Sequence, residues 1–194
     1  KEDFNAFQSN EFVGANVHNM FTSGSTGTPF MVRQDQNKRN RVYAEMLYFW
    51  GKAGYEIGMR YIFFRIWVKL TRKHWLTTWA RNLVMWDIQI LDQKNLENIR
   101  RELKTDRKLK MVLGYAGTLE NLANYLIACG DTPEMFSIQL ILSGAEVLTE
   151  MTRCKLKKVF NCTIVSVYPN QENGLLAEEC VVNKEFHINS ASYH

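Results

Sequence analysis

Short runs of apolar, β-branched and aromatic residues alternate along this chain with segments whose apolar residues recur at helical spacing. That alternation is the strongest constraint on the fold. Strand-like runs fall at 17–22, 30–33, 60–68, 83–90, 111–113, 138–142 and 163–167, and a strand pair closes the chain at 175–182 and 185–188. Between them, Val42, Met46, Phe49 and Trp50 predict a helix over 38–53, and Leu96, Ile99 and Leu103 predict one over 96–103. Further helices are expected over 119–128, broken by Gly130, Asp131 and Pro133, and over 149–159. Strands separated by helices argue for an α/β fold: a mixed, largely parallel sheet flanked by helices. The sequence has no internal repeat, low-complexity tract or Pro-rich linker, so one domain is expected.

Hydrophobic residues make up 46% of the 194 positions, which excludes a disordered chain. No apolar run approaches the roughly 20 residues of a membrane helix. The most apolar stretch, 61–70, is interrupted by Arg65 and Lys69. Residues 1–10 lack the apolar core of a secretory signal. The chain starts at Lys1 and stops at His194, and it reads as a piece of a longer protein. Cys129, Cys154, Cys162 and Cys180 form no CxxC pair, which suggests neither a disulfide framework nor a four-cysteine zinc site. A reducing cytoplasm is the simplest compartment.

The net charge of +4 is mild, but its distribution is uneven. Residues 33–81 carry Arg33, Lys38, Arg39, Arg41, Lys52, Arg60, Arg65, Lys69, Arg72, Lys73 and Arg81 against Asp35, Glu45 and Glu56. Such an excess suits a solvated helix face with exposed strand ends. It would also suit a basic nucleic-acid-binding module.

Thr22-Ser23-Gly24-Ser25-Thr26-Gly27-Thr28-Pro29 is the most informative stretch for function. Glycines permit close backbone approach to a ligand. Successive backbone N–H groups and short hydroxyls can cradle phosphate oxygens. The loop is neither a Walker A sequence nor GxGxxG.

This stretch resembles the phosphate-binding loop of the adenylate-forming enzymes, the acyl-CoA synthetase superfamily. Two later stretches fit the same family in the same order. Leu142-Ser143-Gly144-Ala145-Glu146 resembles the segment that flanks adenine, and Tyr168-Pro169-Asn170-Gln171-Glu172 resembles the Tyr-Gly-x-x-Glu motif. Leu176-Ala177-Glu178-Glu179-Cys180 and Phe186-His187-Ile188 resemble the phenylacetate–CoA ligase branch, which includes capsular polysaccharide biosynthesis proteins of the CapK type.

The resemblance implies that residues 1–194 are part of the AMP-binding N-terminal domain. The ribose-binding Asp and the small domain with its catalytic Lys would lie beyond His194. It implies that Ser23, Gly24, Ser25, Thr26, Gly27 and Thr28 wrap the ATP phosphates, with Thr26 and Glu172 in the catalytic role. Gly144, Ala145 and Glu146 would act mainly through the backbone beside the base, Tyr168 would stack on adenine, and Glu172 would hold Mg²⁺. The implied reaction joins a small-molecule carboxylic acid to AMP and then passes the acyl group to a thiol, coenzyme A. A non-catalytic nucleotide-binding protein of the same fold is the alternative. Neither a nucleic-acid partner nor membrane insertion is expected on this reading.

The chain departs from the family pattern in three places. Thr28 and Phe30 flank Pro29, where a Lys is usual, Pro169 replaces the Gly after Tyr168, and Ser166-Val167 stand before Tyr168 where this branch often has an acidic residue. Outside the motifs, Cys180 and His187 could each ligate zinc, but two ligands do not make a site. His18 is expected to pack or hydrogen-bond, and His74 to lie at the surface. Trp67, Trp75, Trp79 and Trp86 are expected in the core. No GxSxG elbow supports a hydrolase.

Overall fold

The computed structural model describes residues 9–12, 16–21, 31–67, 72–170 and 172–193. Strand β1 (Val17–Phe21) pairs antiparallel with β2 (Met31–Asp35) as a separate hairpin. Helix α1 (Gln36–Ala53) follows at once, because the Asp35 carboxylate accepts the Lys38 N–H at 2.6 Å. It ends at Gly54, whose φ of 107° is the left-handed conformation that glycine adopts without strain.

The remaining strands form one sheet, in the order β4 (Leu83–Asp87), β3 (Arg60–Arg65), β5 (Leu109–Tyr115), β6 (Leu140–Gly144), β7 (Thr163–Asn170), β8 (Gly174–Glu179) and β9 (Phe186–Ile188). From β4 to β7 every pairing is parallel; β8 and β9 add antiparallel. The expected mixed, largely parallel sheet is therefore present. Helices α2 (Trp75–Ala80), α3 (Gln93–Thr105), α4 (Ala116–Ala128) and α5 (Glu150–Phe160) complete the described elements.

Strand alternation divides the core between the two faces of the sheet. Ile62, Phe64, Val112 and Ile141 pack with Ile99, Leu103, Leu119, Leu126 and Leu156 of α3, α4 and α5. Tyr61, Met111, Leu113, Leu140, Leu142 and Val165 pack with Phe49 and Trp50 of α1 on the other face. Because both faces are covered, β5 and β6 read as nearly continuous apolar runs rather than alternating ones.

Element boundaries moved for local reasons. The 83–90 strand stops at Asp87, whose carboxylate turns back to accept the Gln89 N–H at 3.0 Å. The 175–182 strand stops at Glu179, before a turn at 181–183. The 60–68 strand stops at Arg65, and 68–71 lie outside the described residues. Helix α2 was not expected at all: it spans six residues and buries none of them, so it leaves no periodic apolar signal. Its tryptophans also overturn the expected core placement, since Trp75 and Trp79 are 67% and 75% exposed. Trp67 is buried and Trp86 packs partly against the core.

Candidate functional site

The carboxyl ends of β5, β6 and β7 lie side by side, with Tyr115 opposite Gly144 and Gly144 opposite Val167. Open α/β sheets bind ligands outside such ends. Two of the three sequence motifs meet here, because each directly follows or finishes one of these strands.

The 142–146 segment leaves β6 through a tight turn. Leu142 and Ser143 are fully buried, and Ser143 Oγ has no hydrogen-bond partner among the described residues. A Cβ on Gly144 would lie 3.1 Å from Val167 and 3.6 Å from Pro169, so the two motifs touch through a glycine. Ala145 has a φ of 65°, which costs a non-glycine residue about 1 kcal/mol or more. Glu146 then turns back, and its carboxylate accepts the Gly117 N–H at 2.7 Å. Helix α4 has no side-chain cap of its own at Tyr115, so Glu146 serves from outside. The expectation that Glu146 acts mainly through its backbone missed this bond, for which no local signal exists across 29 residues.

Tyr168 stands at the end of β7 with its side chain 64% exposed, so the ring is not part of the core. The β7–β8 register shifts between Tyr168 and Pro169. A bulge tolerates a residue without an N–H, which accounts for proline where the motif usually has glycine. The chain then turns, and Asn170 Oδ1 accepts the Asn173 N–H at 2.7 Å.

Glu172 sits half-buried in this turn, and its carbonyl accepts Gln34 Nε2–H at 3.1 Å. Gln34 belongs to β2, and Phe21 faces Met31 across the hairpin. The hairpin that brackets residues 22–30 is thus tied to the turn carrying Glu172. Ser23, Gly24, Ser25, Thr26, Gly27, Thr28 and Pro29 lie outside the described residues, as does Gln171. An exposed Tyr168 ring beside an exposed Ala145 turn offers a flat face and backbone donors and acceptors, which fits an adenine. A half-buried carboxylate at Glu172 fits a hard cation in donor type.

The branch-specific stretches form the antiparallel edge. Glu178 lies opposite His187 across β8 and β9. Neighbouring Glu179 points to the other face, where Arg153 Nη2 contacts both its carboxylate oxygens at 2.8 and 2.9 Å. Glu179 also accepts the Ser166 N–H at 2.8 Å. Glu178, Glu179, Cys180 and Val181 line a cavity of about 240 Å³ with Phe49, Lys52 and His187. Among the described residues no group of three or more His, Cys, Asp or Glu could hold a metal ion, so Cys180 and His187 gain no third ligand.

The basic segment meets partners inside the protein. Arg41 pairs with Glu45 at 3.0 Å and Arg60 with Asp106 at 2.6 Å. Arg81 lies over the Tyr43 ring at 4.3 Å, and Lys38 donates to Tyr193 Oη at 2.8 Å. His18 bonds Gln36 at 3.2 Å, and exposed His74 caps α2 through the Leu76 N–H, both as expected in kind.

No protein-family model matches the chain, and no curated protein matches it. Solved structures do. An open conformation of 2-hydroxyisobutyryl-CoA ligase, in complex with 2-HIB-AMP and CoA, superposes with a TM-score of 0.64 at 10% identity, covering 87% of this chain and 40% of that one. ATP-bound MatB from Rhodopseudomonas palustris gives 0.60 at 13% identity, over 85% of this chain and 31% of that one. VinN in complex with L-aspartate gives 0.61 at 16% identity, over 84% and 39%. The chain has the fold of part of these ligases and spans 31–40% of their length.

Proposed function

We propose that this chain is the nucleotide-binding part of an adenylate-forming enzyme, which activates a carboxylic acid with ATP and passes the acyl group to coenzyme A. One observation carries the proposal. Three motifs occur in the family's order, and the fold puts the second and third on adjacent strand ends while Gln34 ties the hairpin flanking the first to the third. Similarity to ATP-, AMP- and CoA-bound ligases supports the reading at the level of fold.

In this reading the 144–146 turn flanks the base and Tyr168 stacks on it. Ser23, Gly24, Ser25, Thr26, Gly27 and Thr28 supply short donors to the phosphates, holding a charge that must later leave as pyrophosphate. Carboxylate attack at the α-phosphorus depends mostly on positioning and charge stabilisation. Glu172 holds the nucleotide's Mg²⁺, which supplies charge neutralisation to the phosphates when bound. Thr28 and Phe30 in place of Lys leave the loop less cationic than usual. The 176–180 and 186–188 stretches support the phenylacetate–CoA ligase branch, with the acid itself left to the assay, and the scattered cysteines support a cytoplasmic setting.

Carboxylate-dependent ATP–pyrophosphate exchange on the full-length protein tests this, with pools of aryl, fatty and amino acids. Exchange with one pool is expected. Ser25→Ala and Glu172→Ala should each lower it by tenfold or more while the fold is kept. Binding of Mg-ATP without exchange would favour a non-catalytic nucleotide-binding protein. No ATP binding at all would overturn the motif assignment.

A further inference from the structure

We propose that Tyr193 and Lys38 are positioning residues for Glu172: together they fix the backbone of the turn that carries this carboxylate, which the reading above gives to the nucleotide's Mg²⁺. The inference rests on that reading and goes beyond it, because none of the three motifs contains Tyr193 or Lys38.

The turn lies beyond the β7–β8 ladder, whose last pair is Asn170 with Gly174. The Asn173 N–H is bound within the turn, by Asn170 Oδ1 at 2.7 Å. The carbonyls of Glu172 and Asn173 accept side chains from distant parts of the chain instead. Gln34 Nε2–H donates to the first at 3.1 Å, and the Tyr193 hydroxyl donates to the second. The two consecutive peptide groups leading out of Glu172 are thus both anchored from outside the turn.

The Tyr193 hydroxyl also accepts Lys38 Nζ–H at 2.8 Å. An ammonium can only donate and a carbonyl can only accept, so the single phenolic proton must point to Asn173. The positive charge on one side of the oxygen polarises the O–H and strengthens its bond on the other. Lys38 is itself held where β2 becomes α1, since its own N–H is the one that Asp35 caps. Gln34 stands one residue before that cap. Residues 34–38 therefore grip the Glu172 turn at two points, and they continue directly from the hairpin that brackets residues 22–30.

The 189–193 segment is laid on α1 so that Tyr193 reaches this place. Asn189 is 2% exposed, and its Nδ2–H donates to the Leu175 carbonyl at 3.0 Å. The Asn189 carbonyl accepts the Ser192 and Tyr193 N–H groups at 3.1 and 3.0 Å, which folds the segment into a turn. Arg41 donates to the Ala191 carbonyl, and the Ser192 hydroxyl donates to the Glu45 carboxylate. Lys38, Arg41 and Glu45 are three and four residues apart, so they form one stripe along α1. Val42, beside that stripe, packs so closely on the turn that a Cβ at Gly174 would lie 2.8 Å from it. A carboxylate that must meet a metal needs its backbone held to within about 0.5 Å, and outer contacts of this kind supply that restraint.

The test is Tyr193→Phe in the full-length protein, which removes one oxygen and keeps the ring. ATP binding is titrated with excess Mg²⁺ and again with EDTA. The variant should keep its affinity in EDTA and lose about tenfold of the affinity that Mg²⁺ adds. Equal weakening in both buffers would mean a general structural role and overturn the positioning claim. Lys38→Met should also weaken Mg²⁺-dependent binding but add little in the Tyr193→Phe background, because both act through the same hydroxyl. Additive losses would overturn that pairing.

Hydrogen exchange on the nucleotide-free protein gives a readout that needs no ligand. Peptides covering 170–176 should exchange faster in Tyr193→Phe, while those covering α3 and α4 should not change. Unchanged exchange over 170–176 would overturn the clamp. The two readings fail separately. A wild type that does not bind Mg-ATP sinks the adenylation reading and the role given to Glu172 with it. A wild type that binds Mg-ATP no better than Tyr193→Phe does sinks only the inference about Tyr193 and Lys38.

Discussion

The carboxylate of Glu146 accepts the Gly117 N–H at 2.7 Å and so closes the start of α4 from outside the helix. The same bond pins the turn containing Ala145 at its strained φ of 65°. Glu146→Ala removes the cap and should cost about 1 kcal/mol, read as a shift in the urea midpoint at unchanged slope. Glu146→Gln keeps an acceptor and should recover part of the loss. An Ala variant as stable as wild type would show that α4 needs no cap here.

Arg153 and Glu179 form the best-enclosed ion pair of the sheet edge. Side-chain exposure is 14% for Arg153 and 5% for Glu179. Arg153→Met strands a buried carboxylate and should lower stability by about 3–5 kcal/mol. Adding Glu179→Gln should restore part of it, although the Ser166 N–H then loses a charged acceptor. Equal losses in the single and double variants would contradict the pairing.

Glu178 predicts a stability that falls as pH rises. Its folded pKa, about 7, lies above the unfolded value near 4.3, so between these the folded state binds more protons. Its favourable contribution is complete below about pH 4 and is lost as pH rises through 7. Glu178→Gln should therefore gain roughly 2–3 kcal/mol at pH 8 and little at pH 4. Denaturation at both pH values decides it.

Asp131 gives the opposite slope. Burial alone would raise its carboxyl, but Arg100 at 2.7 Å and Lys104 at 2.6 Å outweigh burial and hold it below the usual range. This contribution is present above about pH 4 and disappears as pH falls through the depressed value. Asp131→Asn should lower stability at pH 7 and flatten the acid limb. An unchanged acid limb would refute the assignment.

Gly174 and Gly58 separate strain from collision. Both have positive φ, 95° and 96°, but a Cβ at Gly174 would lie 2.8 Å from Val42, while at Gly58 it meets open space. Gly58→Ala should cost about 1 kcal/mol, and Gly174→Ala should cost 1–3 kcal/mol more. Comparable losses at the two positions would place Val42 farther from the turn.

The elements themselves were legible in the chain. Apolar spacing over 38–53, 96–103, 119–128 and 149–159 marks helices that bury one stripe, and the β-branched runs mark strands covered on both faces. Local chemistry also orders the motifs, because each is a short contiguous string. Helix α2 escaped because a six-residue helix that buries nothing carries no periodicity. Trp75 and Trp79 look like core residues by type and stand in solvent by position.

What the tertiary structure alone decided is which distant groups meet. Adjacent acids Glu178 and Glu179 are chemically identical in the sequence. The pleat turns the Glu179 carboxylate to Arg153 and leaves Glu178 buried without such a partner, so burial pushes the Glu178 carboxyl up to about 7. Likewise Glu146 finds Gly117, and Gln34 finds Glu172, only when the sheet brings their strands together. A sequence specifies residue type and spacing; burial and long-range partners, which set charge state and reactivity, exist only after packing.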